Sequence, residues 1–192
     1  DLGKRLEATG SRLILRRGDP LQVLRDLVAE TGAGAVYWSR AYDPDSIARD
    51  TGVKAGLKAD GLEAVSHVGH LLFEPWSVET KTGGFYKVYT PFWTAVRERG
   101  VPAPEPAPTR IPAPEAWPVS DALEGWRLGR AMKRGANVCL PWQRVGEEAA
   151  QGRLGAFMGA AIAGYGEQRD MPGVEGTSGL SENLALGEIS AR

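Results

Sequence analysis

Hydroxyl side chains and glycines cluster near the end of the chain, between two segments with helical periodicity. Residues 176–181 (GTSGLS) contain Thr177, Ser178 and Ser181, and an apolar run at Leu184, Leu186 and Ile189 follows them. Ser181 is a residue type that caps helices. A helix N-terminus presents free backbone N–H groups and the positive end of its dipole to anions. The run is therefore either an ordinary helix cap or a phosphate-binding loop.

Composition narrows the classes of protein that this chain belongs to. The formal net charge of -1 over 192 residues excludes a globally basic nucleic-acid binder. A single cysteine, Cys139, rules out an internal disulfide or a thiolate metal site, and the two histidines, His67 and His70, favour structural roles. No apolar run approaches the roughly 20 residues of a membrane span, and no signal peptide is visible, so we expect a cytoplasmic protein without a membrane partner. We also expect a monomer. Both ends fall inside helical patterns, which predicts a fragment of a longer chain.

The first hundred residues alternate between strand and helix patterns. A helix tail over 1–9 precedes a strand at 12–16, and further strands are predicted at 35–38 and 62–66. Asp19-Pro20 and Asp43-Pro44 each combine an N-cap with an N1 proline and open the intervening helices. This order predicts right-handed crossovers and a parallel sheet, whose ligands lie at the carboxyl ends of the strands (16–19, 39–45 and 67–71).

A proline-rich segment separates this region from a helical one. Residues 85–89 are a short strand or an extended segment, and Thr90-Pro91 predicts a helix over 92–99. Residues 101–118 hold seven of the thirteen prolines, which favours an extended linker. A helix follows over 147–165, with a buried apolar stripe (Leu154, Phe157, Met158, Ala161, Ile162 and Tyr165). We therefore divide the chain into 1–100, 101–143 and 144–192.

Four stretches of the sequence form recognisable motifs: YGEQRDMP at 165–172, TSGLS at 177–181, KVYTPF at 87–92, and Tyr42 with ARD at 48–50. Together they resemble the DNA photolyase/cryptochrome family, in particular its class I cyclobutane pyrimidine dimer photolyases. The resemblance implies an α/β Rossmann-like parallel-sheet domain with its first strand missing, then a Pro-rich linker, then the start of an all-α FAD-binding domain. Residues 1–100 would be an incomplete antenna domain, and 144–192 an incomplete FAD domain.

The resemblance also assigns roles to individual positions. Those matched by Tyr165, Thr177, Ser178 and Ser181 contact FAD, mainly its phosphates and ribose, and Leu180 contributes backbone in the same loop. Gly179 belongs to that loop but replaces an arginine found in many photolyases, which removes a charge there.

The family's partner is damaged DNA. The position matched by Arg169 contacts DNA in photolyases, although an ion pair with Asp170 or Glu167 is the other interpretation. Catalytic residues are expected beyond Arg192, so Trp117, Trp126 and Trp142 are predicted to pack in the core or between domains and to carry no electrons.

An antenna pigment, a folate or a deazaflavin, would lie in the α/β domain. The matching loop contains Asp43, Asp45 and Ser46, which equally suit a helix cap and first turn.

The resemblance implies light-driven, FAD-dependent repair of cyclobutane pyrimidine dimers in DNA. The alternative is a cryptochrome-like blue-light photoreceptor without repair activity, and a generic nucleotide-binding α/β protein ranks last. The chain alone is predicted to be inactive and to hold FAD weakly.

Overall fold

Two parallel strands lie at the centre of the first part of the chain. In the computed structural model, which describes residues 1–192, β1 (Ala35–Ser39) pairs in parallel with β2 (Glu63–His67), from Ala35 opposite Glu63 to Ser39 opposite His67. Three helices accompany them: α1 (Leu2–Ala8), α2 (Pro20–Thr31) and α3 (Pro44–Ala59). The strand–helix–strand crossover and the parallel sheet confirm the predicted fold class.

The helix signals in the sequence act as predicted. The Asp19 and Asp43 carboxylates accept hydrogen bonds from Gln22 N at 3.0 Å and Ser46 N at 2.9 Å, so each caps its helix. Gly32 ends α2 in the left-handed conformation, with φ 68°. These boundaries depend on interactions that span three or four residues, which is why the sequence alone locates them.

The core of this unit lies between α3 and the sheet. Leu57 is fully buried and packs with Val53 and Ala64. Partly buried apolar side chains surround this centre: Leu21, Leu24, Val36, Trp38 and Leu62. The core therefore joins α2, α3 and both strands, and it fixes the sheet edge at which β1 and β2 end.

The strand predicted at 12–16 does not form, and this prediction is wrong. The segment is extended, but its backbone makes only isolated hydrogen bonds to residues that follow the linker: Leu15 N donates to Ser120 Oγ at 2.9 Å, and Asp121 N donates to Leu15 O at 2.7 Å. A β-ladder needs a neighbouring strand that repeats such bonds residue by residue. The apolar pattern of 12–16 was correct for an extended segment, but its pairing depends on distant residues.

The second part of the chain consists of short helices and turns. They are α4 (Tyr89–Val96), α5 (Arg134–Cys139), α6 (Glu147–Ala156), α7 (Tyr165–Gln168) and α8 (Ser181–Ala185). Residues 85–88 form no strand and bend at Lys87 and Val88, and α4 begins at Tyr89 where the sequence predicted position 92. The linker over 101–118 contains no helix or strand, as predicted. The expected helix over 147–165 is helical throughout, but a π-helical turn (Phe157–Ala161) and a 3-10 turn (Ile162–Gly164) interrupt it.

The apolar stripe of this helical segment is not buried, contrary to the prediction. Met158, Ile162 and Tyr165 are 55%, 44% and 40% exposed. Periodicity defines an apolar face, but burial also requires an opposing apolar surface. The contact between α8 and α6 does not supply one, because it is made by the polar side chain of Arg153. The accessible surface of the whole chain is 14305 Å², whereas a compact monomer of this mass would have about 8,900 Å². The chain therefore buries less of its surface than a compact monomer does.

The tryptophans outside the sheet differ in their surroundings. The Arg12 and Arg17 guanidinium carbons lie 5.8 Å and 4.9 Å from the ring centroids of Trp117 and Trp126, which agrees with a packing role. Trp142 is 80% exposed, so the predicted packing role is wrong for it. Across the chain, the helices are too short or too polar to cross a membrane.

Candidate functional site

The loop over residues 176–181 leaves most of its hydrogen-bond donors without an acceptor in the chain. The backbone N–H groups of residues 177–180 donate to no acceptor within the chain, nor do the hydroxyls of Thr177, Ser178 and Ser181. Thr177 and Ser181 are exposed and Ser178 is partly exposed. Several donors close together can satisfy the oxygens of an anion such as a phosphate. The structure therefore makes these three hydroxyls available for such a role.

Ser181 does not cap the helix that follows, so this prediction is wrong. Leu180 occupies the N-cap position of α8, no side chain caps the helix, and Ser181 is its first residue. The helix has only five residues, so few aligned peptide dipoles contribute a charge at its start. The donors of the loop itself thus offer more to an anion than the helix dipole does.

Two glycines allow the backbone of this loop to adopt its conformation. Gly176 is buried, and a Cβ there would lie 2.5 Å from Gln168 Cβ and 2.9 Å from the Gln168 carbonyl carbon. Gly179 has φ 61°, a left-handed conformation that glycine adopts without the steric cost of a side chain. The close approach at Gly176 holds the loop against the end of α7, which carries Tyr165.

Tyr165 and Arg169 form a small polar–aromatic cluster beside this contact. The Arg169 guanidinium carbon lies 6.0 Å from the Tyr165 ring centroid, and Phe157 packs edge-on to Tyr165 at 5.8 Å. Arg169 Nε pairs with Asp170 Oδ2 at 3.4 Å, and both side chains are more than half exposed. Hydrogen bonding to Tyr165, then the charge of Asp170, raises the pKa of Arg169 above its usual range. The ion-pair interpretation of Arg169 therefore holds in this structure, and the exposed guanidinium stays accessible to an anion.

A polar network that the sequence did not reveal anchors the loop to α6. Arg153 Nη1 donates to Gly179 O at 2.7 Å and to Asn183 Oδ1 at 2.9 Å, and it pairs with Glu182 Oε1 at 2.6 Å. Asn183 is fully buried, whereas Leu184 and Leu186 are 38% and 71% exposed. The buried residue of this segment is therefore polar, while two residues of its apolar run are exposed. We call Arg153, Glu182 and Asn183 the loop clamp.

The acidic member of the loop clamp is held in its charged form. The Arg144 N–H donates to Glu182 Oε1 at 3.2 Å. That hydrogen bond, followed by the bond and the charge of Arg153, lowers the pKa of Glu182 below its usual range, since each favours the carboxylate. A paired carboxylate so close to the loop would repel an anion less than a free one.

A second site lies at the carboxyl end of β1, where the sequence predicted ligand binding. A cleft of about 240 Å³ is lined by Trp38, Tyr42, Trp76 and the cations Arg40 and Lys54, among others. Trp38 Nε1 is buried and donates to no acceptor in the chain. Buried indole N–H groups normally have a partner, so Trp38 keeps an unsatisfied buried donor although part of its side chain lines the cleft.

The cationic side of the cleft is held in position by several contacts. Arg40 Nη1 pairs with Glu74 Oε1, and Arg40 Nη2 donates to Ser66 O at 2.8 Å. The same guanidinium lies 5.1 Å from the centroid of Trp76. Lys54 Nζ contacts Ser66 Oγ at 3.5 Å. The cleft thus combines a fixed cation with aromatic walls.

The other predicted ligand positions lie elsewhere. Asp43 is a helix cap, as its bonding to Ser46 N shows, and this bonding lowers its pKa. Asp43, Asp45 and Ser46 do not line the cleft. His67 packs 5.8 Å from the Tyr37 ring, while His70 lines a separate cleft of about 340 Å³ with linker and C-terminal residues. No cluster of three or more His, Cys, Asp or Glu side chains is arranged to hold a metal ion.

Comparison with known proteins identifies the family. The family model for DNA photolyase matches residues 1–114, more than half of the chain. The chain belongs to the DNA photolyase family. A deoxyribodipyrimidine photo-lyase of Agrobacterium fabrum is 44% identical over 98% of this chain. Cryptochrome-1 of Arabidopsis thaliana is 29% identical over 100% of it. The family prediction is therefore confirmed.

Solved structures agree with the fold. A class III photolyase of Agrobacterium tumefaciens superposes with a TM-score of 0.93 at 43% identity, over 98% of this chain and 39% of that one. A Synechocystis cryptochrome gives a TM-score of 0.76 at 21% identity, over 98% of this chain and 40% of the other, which supports the fold alone. The chain spans 40% of the length of the Agrobacterium fabrum relative, so activity, cofactor and DNA partner are matters for proposal.

Proposed function

We propose that this chain works as part of a deoxyribodipyrimidine photolyase that uses FAD and light to repair cyclobutane pyrimidine dimers in DNA. The observation that carries the proposal is the 44% identity to a deoxyribodipyrimidine photo-lyase over nearly the whole chain. The motifs predicted class I. The 43% identity to a class III photolyase favours class III.

The loop over residues 177–181 is the proposed site of the FAD phosphates. Its support is the set of uncommitted backbone N–H groups together with the hydroxyls of Thr177, Ser178 and Ser181. These donors suit the oxygens of a pyrophosphate. Gly179 and Leu180 would contribute backbone, and Tyr165 would border the site across the contact between Gln168 and Gly176.

The protein's part in the reaction is to bind and orient. When bound and reduced, the flavin supplies the excited-state electron for splitting the dimer. Arg169 is the proposed DNA contact, because its guanidinium is exposed and is held by a surface pair with Asp170 and by its contact with Tyr165. Such pairs stabilise little, so a DNA phosphate can replace Asp170 at small cost.

The cleft beside β1 is the proposed antenna site. Two tryptophan rings and a fixed guanidinium suit a planar conjugated pigment that carries hydrogen-bond acceptors. Both a folate and a deazaflavin meet this description. This placement replaces the loop with Asp43, Asp45 and Ser46, which serves as a helix cap.

A cryptochrome-like photoreceptor is the second candidate. The observation in its favour is the alignment of Arabidopsis thaliana cryptochrome-1 with all of this chain. Both candidates need FAD, so flavin binding cannot separate them, whereas repair can.

A chimaera tests the proposed function. Residues 1–192 replace the matching segment of the Agrobacterium fabrum photolyase, and the purified protein is illuminated with a dimer-containing oligonucleotide. We expect a yellow protein and light-dependent loss of the dimer. Flavin binding without repair would favour the cryptochrome alternative, and a colourless folded protein would contradict both.

The antenna site is tested in the same chimaera with Trp76→Ala. We expect a lower content of the second pigment with unchanged FAD content, as measured by absorbance after denaturation. Trp142→Ala is the matched control, because Trp142 is 80% exposed and lies outside the cleft. Equal pigment content in the two variants would refute this placement.

A further inference from the structure

We propose that the loop clamp, and Arg153 above all, sets the conformation of the loop over residues 177–181 and thereby the affinity of the protein for FAD. This inference rests on the proposed FAD site. Arg153 would be a positioning residue, since it acts through the loop backbone. The sequence motifs that indicate FAD binding do not include Arg153.

The first argument is the convergence of acceptors on one guanidinium nitrogen. Arg153 Nη1 lies 2.7 Å from Gly179 O, 2.9 Å from Asn183 Oδ1 and 2.6 Å from Glu182 Oε1. These acceptors lie before and inside α8, whereas Arg153 lies on α6. Charge-assisted hydrogen bonds of this kind are stronger than neutral ones. They therefore hold the loop and the short helix α8 to the longer helix α6.

The second argument is the complete satisfaction of Asn183. Its Oδ1 accepts from Arg153, and its Nδ2 donates to Arg144 O at 2.8 Å and to Glu188 Oε2 at 2.7 Å. The Asn183 backbone carbonyl also accepts from Glu188 N at 2.8 Å. A fully bonded, fully buried amide fixes one arrangement of the surrounding backbone. The loop clamp therefore specifies one conformation.

The third argument is the conformation of Gly179. This exposed residue has φ 61°, and no atom lies within 4 Å of the position that a Cβ would take, so no side chain packs over that side of it. Its carbonyl, however, is bound by Arg153. The hydrogen bond restrains the most permissive residue of the loop, and it does so while the loop donors at 177–180 stay uncommitted.

The test has two readouts. The first is amide hydrogen exchange at Leu184 and Glu188 in the 192-residue chain, whose N–H groups bond to Leu180 O and Asn183 O. The second is the FAD dissociation constant of the chimaera, titrated with free FAD. For Arg153→Ala we expect both the exchange rates and the dissociation constant to rise about tenfold or more.

Three further variants keep the test decisive. Arg153→Lys keeps the charge and should recover part of the FAD affinity, which a purely steric role would not require. Asn183→Asp keeps the side-chain size but places an oxygen against Glu188 and Arg144 O, so it should weaken FAD binding as well. Gln151→Ala, an exposed change on the same helix, is the control and should alter neither readout.

The possible failures are distinguishable. A chimaera with unaltered residues that binds no FAD would contradict the proposed FAD site, while the exchange data would still test the loop clamp. Unchanged exchange in Arg153→Ala, or an unchanged dissociation constant in a flavin-binding chimaera, would overturn the inference.

Discussion

Gly176→Ala is the most direct test of how the candidate loop is held against α7. The new Cβ would lie 2.5 Å from Gln168 Cβ and about as close to Gln168 backbone atoms. Ordinary carbon–carbon contacts are near 3.5–4.0 Å, so the two segments must separate by roughly 1 Å. These Gln168 atoms cannot rotate out of the way. The backbone atoms are part of α7, and the position of the Cβ is fixed by that backbone.

The magnitude follows from the cost of overpacking. Forcing a methyl group into such a contact costs about 1–3 kcal/mol, and a local opening free energy lowered by that amount speeds amide exchange by roughly 5- to 150-fold. We expect this acceleration at Leu184 and Glu188, whose amides are bonded within the loop and α8. Exchange measured by mass spectrometry on peptides from this region checks it.

A neighbouring glycine supplies the control. Gly173 lies three residues earlier, has no atom within 4 Å of a built Cβ and does not have a positive φ. Gly173→Ala should therefore leave exchange unchanged or slow it slightly. If Gly176→Ala and Gly173→Ala gave the same exchange pattern, the close approach of Gln168 to Gly176 would not exist in solution.

Three other predictions concern the core, pH and cofactor. Leu57→Ala should lower the free energy of unfolding by about 2–5 kcal/mol in urea titrations, because Leu57 is fully buried, whereas the exposed Lys58→Ala should not. Hydrogen bonding to Arg25 and Arg16 lowers the pKa of Asp60 and Glu30, respectively. The stabilisation that these two ion pairs give the fold is complete above the pKa of the carboxyl groups in the unfolded chain, about 4. It is lost as the pH falls through their lower pKa values in the folded chain. Urea midpoints that stayed constant down to pH 3 would contradict this. The 192-residue chain, purified with added FAD, should give no stoichiometric flavin spectrum, because it spans 40% of its photolyase relative, and a yellow 1:1 product would refute that.

Features that depend on a few neighbouring residues were predictable from the sequence. The caps at Asp19 and Asp43 and the end of α2 at Gly32 follow from local propensity. The parallel pairing of β1 with β2 joins more distant residues, but the order of strand, helix and strand predicted it. The family resemblance was predictable for the same reason, since its motifs are short and contiguous. The structure has a cleft near the end of β1, where topology predicted a ligand site, but the aromatic lining of this cleft was not predicted.

Features that depend on distant residues were decided only by the tertiary structure. The segment at 12–16 forms hydrogen bonds to residues more than a hundred positions away. The loop clamp joins α6 to residues about thirty positions later. Beside the cleft, Arg40 forms an ion pair with Glu74. Periodicity marks an apolar face but does not say what covers it, so Leu186 is exposed while Asn183 is buried. The hydrogen-bond donors of the loop over residues 176–181 could be identified from the sequence alone. The tertiary structure decided what holds them, because burial and hydrogen bonding depend on which segments meet in space.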